Sequence, residues 1–532
     1  MIRVLSHCAE VGSLSLQEMN SMVNRMKYID FIIVYQRYQM LLNIIFGLSD
    51  CAFEVISLTN RKEPMKIKFC GAAQTVTGSS HLITTDRGTK ILFDCGLYQG
   101  NDPDFDDFNQ DWVFSPSEVD VMVLSHSHID HAGRIPKLCK DGFKGDVVCT
   151  SATRDLAALM LLDSGFIQEK DNEWMNKRRA RKELPPMPPL YTVPDAVRAI
   201  EQFVGIGYGR WFRIADDVQV QFNDAGHILG SANVTLKIQG KDGEYQYVGF
   251  TGDIGRPDRP ILRDPQPMPA CDFLLCESTY GGKTHQGMSN DEEELLKVIQ
   301  HTCVEKKGKL IIPAFSVGRT QEIVYMMDKL ETAGRLPNIP VYVDSPLAVD
   351  ATDIFVMHPE CYDAEILEYM QIDPNPFGFK GLKFVKKVAD SKAINETNQP
   401  CVIISASGMM QAGRVKHHLN NNIEDERNTI LVVGFCAYNT LGRRIRDGAE
   451  SVKIFGKEKQ VKAEVVIMDS FSAHGDQQEM LDFLQCQDKS KLKKIFLVHG
   501  ELDRQEIFKE TILSDGFKNV EIPELDQEFD LV

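Results

Sequence analysis

The feature that most restricts this chain is a short loop, LSHSHIDHAGRIP at residues 124–136, which crowds three histidines and an aspartate into the six positions from His126 to His131. A packed interior does not tolerate that density of polar groups unless something offsets their desolvation. A bound metal ion does so. The loop follows Val119-Asp-Val-Met-Val-Leu124, an apolar run that reads as a buried strand, so the cluster belongs at a strand's C-terminal end. In extended chain, residues two apart point the same way, and His126 and His128 can therefore grip one ion. Asp130 and His131 fall where the loop turns into a helix, close enough to hold a second.

Two imidazoles alone make a weak site, so other strands must end in further ligands. The sequence supplies them repeatedly. Val218 to Asn223 leads into Asp224-Ala-Gly-His227, Tyr245 to Phe250 into Thr251-Gly-Asp253, and Lys494 to Val498 into His499-Gly500. Lys90 to Phe93 ends in Asp94-Cys-Gly96. Each candidate neighbours a glycine, which lets backbone approach closely. Asp94 is read as orienting a ligand rather than as a ligand, with a plain turn residue as the alternative. His285, His301, His358, His417 and His418 are read by default as packed or surface residues.

The rhythm of the chain sets its domains. At 532 residues it exceeds one ordinary core. From Met65 short alternating strands prevail. After Glu277 longer strand, glycine-loop and helix units take over, as in KLIIPAFSVGRTQEIVYMMDKL and PCVIISASGMMQAGRVKHHL. That is the pattern of a parallel, doubly wound sheet. The earlier style returns with strands at Ala463 to Met468 and Lys494 to Val498. Residues 1–64 differ in texture and end in the polar stretch Asn60-Arg-Lys-Glu-Pro64. Met65 is read as the native start, the preceding segment being an over-extended gene reading or a loosely attached helical appendage.

Composition narrows the functional classes. A formal charge of -17 argues against binding nucleic acid through the whole surface, though not against a local basic channel. Thirteen cysteines without any CxxC pair suggest buried thiols in a reducing, cytoplasmic setting. No stretch reaches the roughly 20 apolar residues that span a bilayer, so no membrane role is expected.

The motifs FDCG at 93–96, HSHIDH at 126–131, GH at 226–227 and TGD at 251–253 resemble the two-metal form of the metallo-β-lactamase superfamily. CESTYGG at 276–282, DSFSAHGD at 469–476 and LVHGE at 497–501 resemble motifs A, B and C of its β-CASP branch, the nucleic-acid-processing nucleases. The resemblance runs from Met65 to the C-terminus. It implies an α/β protein: a four-layer αββα sandwich (65–280 and 459–532) interrupted by an inserted α/β β-CASP domain (281–458). It also implies that His126, His128 and His227 hold one zinc, that Asp130, His131 and His499 hold the other, and that Asp253 bridges them. Glu277 would orient His474 as general acid. Histidine at the motif C position is the RNA-type choice. The chain ends soon after motif C, which fits a minimal bacterial type.

The expected activity is hydrolysis of single-stranded RNA by two Zn(2+) ions, leaving 5'-phosphate and 3'-hydroxyl ends, internally or from the 5' end. A homodimer is compatible with it. Three strand-to-helix turns of the inserted domain, Ser316 to Arg319, Ser405 to Gly408 and Tyr438 to Arg444, offer free N–H groups to phosphates. Arg319, Ser407, Gly408, Arg414, Arg443 and Arg444 are the expected contacts. The run Asn176 to Lys182 is read as a solvated helix face rather than an RNA contact, with a place flanking the cleft as the alternative. The rival readings are a hydrolase of small esters or thioesters and a catalytically idle RNA-binding scaffold.

Overall fold

Alternation of side chains along the strands decides which way each sheet faces. The computed structural model describes residues 64–100, 105–284, 290–434, 436, 439–468 and 473–532. The expectations about residues 1–63 and the first residues of motif B lie outside them. Strands β1 (Met65–Gly71), β2 (Ser80–Thr84), β3 (Lys90–Phe93), β4 (Val121–Val123), β5 (Val147–Thr150) and β6 (Phe203–Ile206) follow one another across the first sheet. The C-terminal strand β22 (Glu528–Leu531) closes its β1 edge, pairing Ile67 with Phe529. The second sheet contains β7 (Phe212–Arg213), β8 (Val218–Asp224), β9 (Ala232–Gln239), β10 (Tyr245–Phe250) and β11 (Phe273–Glu277). It is completed by β20 (Lys494–Val498) and β21 (Val520–Glu521) from the far end of the chain.

The two sheets face each other. Ile67, Phe69, Val121, Val123, Phe273, Leu275, Phe496 and Val498 point into the shared core, at about 1.5–3 kcal/mol of burial for each large side chain. Their neighbours point outward. Met122 meets Leu138 and Ala157 of the helices over the first sheet, whereas Leu274, Cys276, Ile495 and Leu497 meet Met480, Leu484, Phe508 and Ile512 of the helices over the second. The result is the four-layer αββα sandwich. No disulfide joins the described cysteines.

Between β11 and β20 the chain builds the third sheet, whose strands all run parallel: β12 (Lys309–Pro313), β13 (Val341–Val343), β14 (Leu382–Phe384), β15 (Cys401–Ser405), β16 (Thr429–Val433) and β19 (Glu464–Met468). Leu310 and Ile312 face one helical layer and Ile311 the other, as a doubly wound sheet requires. The hairpin of β17 (Ser451–Ile454) and β18 (Lys457–Gln460) precedes the last strand. Grouped by pattern with the returning segment, β19 instead hydrogen-bonds to β16 and ends the inserted sheet. An apolar strand pattern specifies burial, not which sheet receives the strand, and the return to the sandwich is made by β20.

Parallel pairing puts the functional loops on one edge. β10, β11 and β20 are mutually parallel, with Phe250 opposite Leu275 and Glu277 opposite Val498. β8 runs the same way, being antiparallel to β9, which is antiparallel to β10. The loop after β4 meets them from the first sheet through Ala232 N–H donating to the Ser125 carbonyl at 3.0 Å.

Candidate metal centre

Close backbone approach at this edge depends on glycine. A Cβ on Gly96 would stand 1.6 Å from the Asp130 carbonyl oxygen, and one on Gly255 1.9 Å from the Gly226 oxygen. Asp94 and His499 adopt left-handed backbone, with φ of 54° and 50°. For non-glycine residues this costs on the order of 1–2 kcal/mol, offset by the partners each then reaches.

Two groups of ligand atoms result. His126 Nε2 and His227 Nε2 each approach His128 Nδ1, at 3.1 and 3.2 Å, and stand 3.4 and 3.6 Å from Asp253 Oδ2. On the other side His131 Nε2 lies 3.2 Å from His499 Nε2 and 3.3 Å from Asp253 Oδ1, with Asp130 Oδ2 3.6 Å from His499 Nε2. A tetrahedral ion with bonds of about 2.0–2.1 Å separates its ligand atoms by about 3.3 Å, so the spacing fits. Asp253 faces both groups, one oxygen to each. Its Oδ1 is buried and accepts no hydrogen bond of proper geometry.

The remaining ring nitrogens are held from behind. His131 Nδ1 lies 2.7 Å from Asp94 Oδ2, His126 Nδ1 3.1 Å from Ser125 Oγ, His499 Nδ1 3.0 Å from Thr279 Oγ1, and His227 Nδ1 3.2 Å from the Ala473 carbonyl. A carbonyl only accepts, so His227 carries its proton on Nδ1 and aims a lone pair at the site. Burial pushes His126 and His227 well below the usual imidazole pKa, and His128 below it too; crowding by other histidines adds to this and Asp253 opposes it. Neutral imidazole is the form that binds a cation. Burial alone would raise Asp253, but His131, His499 and His126 hold it well below the ordinary carboxylate range.

Beside the second oxygen of Asp253 stands His474, its Nε2 3.9 Å away and its Nδ1 3.3 Å from Glu277 Oε2. Glu277, the last residue of β11, is wholly buried and also accepts from the Ile254 amide. Burial lowers the His474 pKa, but Glu277 and then Asp253 outweigh it and raise it to about 9. A bridge between Gly255 and His474 and the Gly475 N–H to the Ile254 carbonyl fix the loop. Arg256, 3.3 Å from Glu479 of the capping box that starts the next helix, anchors it.

All sequence-predicted ligands therefore meet, with Asp94 behind His131. The expected phosphate contacts fare differently. The turn at Gly318 lies next to Ile228, Gly408 packs on Phe315, and the Gly442 N–H donates to the Met409 carbonyl at 3.1 Å, so the three turns adjoin. Arg319, however, is buried against Glu322, and Arg414 donates to Asp344, Val385 and Lys386. Arg443 pairs with Asp447 at 2.7 Å and Arg444 donates to the Ser451 carbonyl. Nor do Ser407 and Gly408 start a helix: the next one begins at Val415. Tyr438 lies outside the described residues. Sequence reasoning missed Ser125, Thr279 and Arg256. The first two adjoin motif residues, but hydroxyls are too common to stand out.

This edge, with six imidazoles around a shared carboxylate on an αββα sandwich, defines a metallo-hydrolase. Family models agree: the metallo-beta-lactamase superfamily matches residues 74–298, the Beta-Casp domain 320–445, and the Zn-dependent metallo-hydrolase RNA specificity domain 458–523. The chain belongs to the β-CASP branch of the metallo-β-lactamase superfamily. It is 34% identical to "Ribonuclease TTHA0252" of Thermus thermophilus over 83% of this chain and 94% of that protein. It is 31% identical to an "RNase J-like protein" of Methanocaldococcus jannaschii, over 86% and 96%. With "Transcription termination factor FttA" of Methanosarcina mazei it shares 31%, over 83% and 68%.

Proposed function

We propose that the protein is a zinc-dependent ribonuclease that hydrolyses single-stranded RNA and leaves 5'-phosphate and 3'-hydroxyl ends. The observation that carries this reading is Asp253 turning Oδ2 to His126 at 3.4 Å and Oδ1 to His131 at 3.3 Å, with the His474–Glu277 pair beside it. His126, His128, His227 and Asp253 would hold one ion, and Asp130, His131, His499 and Asp253 the other. Imidazole and carboxylate donors without thiolate suit zinc. When bound, two such ions polarise the phosphate oxygens and make water a nucleophile near neutral pH. His474, protonated below about pH 9, stands ready to give its Nε2 proton to the departing 3'-oxygen. Glu277 holds the opposite nitrogen and so keeps the ring aimed. The relatives' printed names support RNA as the substrate, and buried thiols support a reducing, cytoplasmic setting.

The test is to measure zinc by mass spectrometry and incubate the loaded protein with end-labelled single-stranded RNA, the matching DNA and a thioester. RNA fragments with 5'-phosphates and two zincs per chain are expected. Intact RNA under conditions that hydrolyse the thioester would overturn the reading. Varying the 5' phosphorylation of the RNA separates internal cutting from trimming at the end.

A further inference from the structure

The helix Ser151–Ala180 changes character along its length. Its first half is wedged into the body: Ala152 and Leu156 join the core of the inserted domain, while Ala157 and Leu161 join the outer face of the first sheet. Beyond Gly165, side chains on its free faces are exposed. At 100° per residue this second half has two opposite faces. One carries Asn172, Asn176 and Arg179 and is covered by the proline-rich turn that follows. Asn176 donates to the Met187 carbonyl at 2.8 Å and accepts from its N–H at 2.9 Å, and Arg179 Nε donates to the Pro185 carbonyl at 2.8 Å.

The opposite face carries Phe166, Lys170, Trp174, Arg178 and Arg181, and all five are exposed. Rings and cations interleave along it. Lys170 sits 5.7 Å from the Phe166 ring centre and Arg178 4.6 Å from that of Trp174. The stretch WMNKRRARK at 174–182 holds five cations and no acid, in a chain of formal charge -17. Among the described residues no carboxylate lies within 4.0 Å of Lys177, Arg178, Arg181 or Lys182.

We propose that this face is a docking ridge for single-stranded RNA, separate from the metal centre; the inference rests on the ribonuclease reading. A single strand offers alternating phosphates and unpaired base faces, which match the Arg178 and Arg181 guanidinium groups beside the exposed Trp174 ring, Lys170 being already paired with Glu173 at 2.8 Å. Lys177, Arg178, Arg181 and Lys182, without an ion-pair partner among the described residues in a chain of formal charge -17, make a local positive field. The proline turn strapped to the other face fixes the ridge before binding, which lowers the ordering cost. The helix starts beside the metal edge, where Thr153 Oγ1 donates to the Gly230 carbonyl. Trp174 lies 23 residues further on, about 35 Å at about 1.5 Å per residue. At about 3.4 Å per stacked nucleotide, RNA must exceed about ten nucleotides to engage ridge and metals together.

The test combines Trp174→Ala, Arg178→Ala and Arg181→Ala, with thermal unfolding to confirm that the variant folds. Its KM for a 30-nucleotide single-stranded RNA should rise about 5- to 100-fold, with kcat unchanged and no change for a six-nucleotide RNA. The salt dependence of that KM should flatten by about 1.4 in log–log slope for two lost phosphate contacts. An unchanged KM on the long RNA overturns the ridge while leaving the ribonuclease reading intact. So does a variant whose only change is a smaller sedimenting species, since the face is then an interface between copies. Long RNA bound by the parent protein, released by the triple variant and never cut supports the ridge and refutes the nuclease.

Discussion

The metal edge of the sandwich and the matching edge of the inserted sheet both gather charged side chains at the ends of parallel strands, yet they satisfy them in opposite ways. In the inserted domain the complement comes from the chain itself. Asp344, wholly buried just after β13, receives Arg414 at 2.6 Å, His418 at 2.7 Å and the Ser391 hydroxyl. At the metal edge imidazole nitrogens face one another at 3.1–3.2 Å around one carboxylate, the spacing of ligand atoms about a tetrahedral ion, which would bring its own charge. Both edges set imidazole around a buried carboxylate, but only the inserted edge adds a guanidinium. What differs is whether the compensating charge belongs to the protein.

The sharpest way to break the comparison is Asp253→Ala, which removes the carboxylate common to both groups. Zinc and activity should both fall to background, and retention of either would show that the groups do not share it. His474→Ala should lower kcat by about 10²- to 10⁴-fold with zinc content kept, because no ligand is lost. Its pH profile carries the sign. The raised pKa keeps His474 protonated up to about pH 9, so kcat should hold to that pH and decline above it. Glu277→Gln removes the charge that raises the pKa and should move the decline to lower pH.

Asp94→Asn should weaken zinc binding by about 10- to 100-fold in a chelator competition, since only the orientation of His131 is disturbed. In the inserted domain the signs reverse. Arg414→Ala should leave zinc untouched and cost about 3 kcal/mol of stability, seen as a lower melting temperature. A raised KM for RNA at unchanged stability would instead make Arg414 a substrate contact. Arg443→Ala, which breaks a partly exposed pair with Asp447, should change stability by less than about 1 kcal/mol, and a fall of about 0.7 in the salt slope of single-stranded RNA binding would make it a phosphate contact.

The metal centre was legible because its signal is local. His126, His128, Asp130 and His131 sit in one loop, and His227, Asp253 and His499 each follow a strand and adjoin a glycine. Arg319 and Arg414 looked no different from phosphate ligands, because their partners lie elsewhere: Glu322 is one helical turn on, but Asp344 is 70 residues away. The run Asn176 to Lys182, read as a solvated helix face, is exposed over most of its length, and only the fold turns Asn176 and Arg179 towards the proline-rich turn.

By itself the sequence determined the periodicity of the strands, the two styles of α/β architecture and the candidate His and Asp residues at the strand ends, all of which depend on neighbours within a few residues. Tertiary structure decided that β19 closes the inserted sheet, that the Ala473 carbonyl 246 residues from His227 fixes its tautomer, and which cations are consumed inside the fold. The reason is physical. Chain pattern fixes which face of an element is apolar, whereas a polar atom's role depends on the partner within about 3 Å, and only folding chooses that partner.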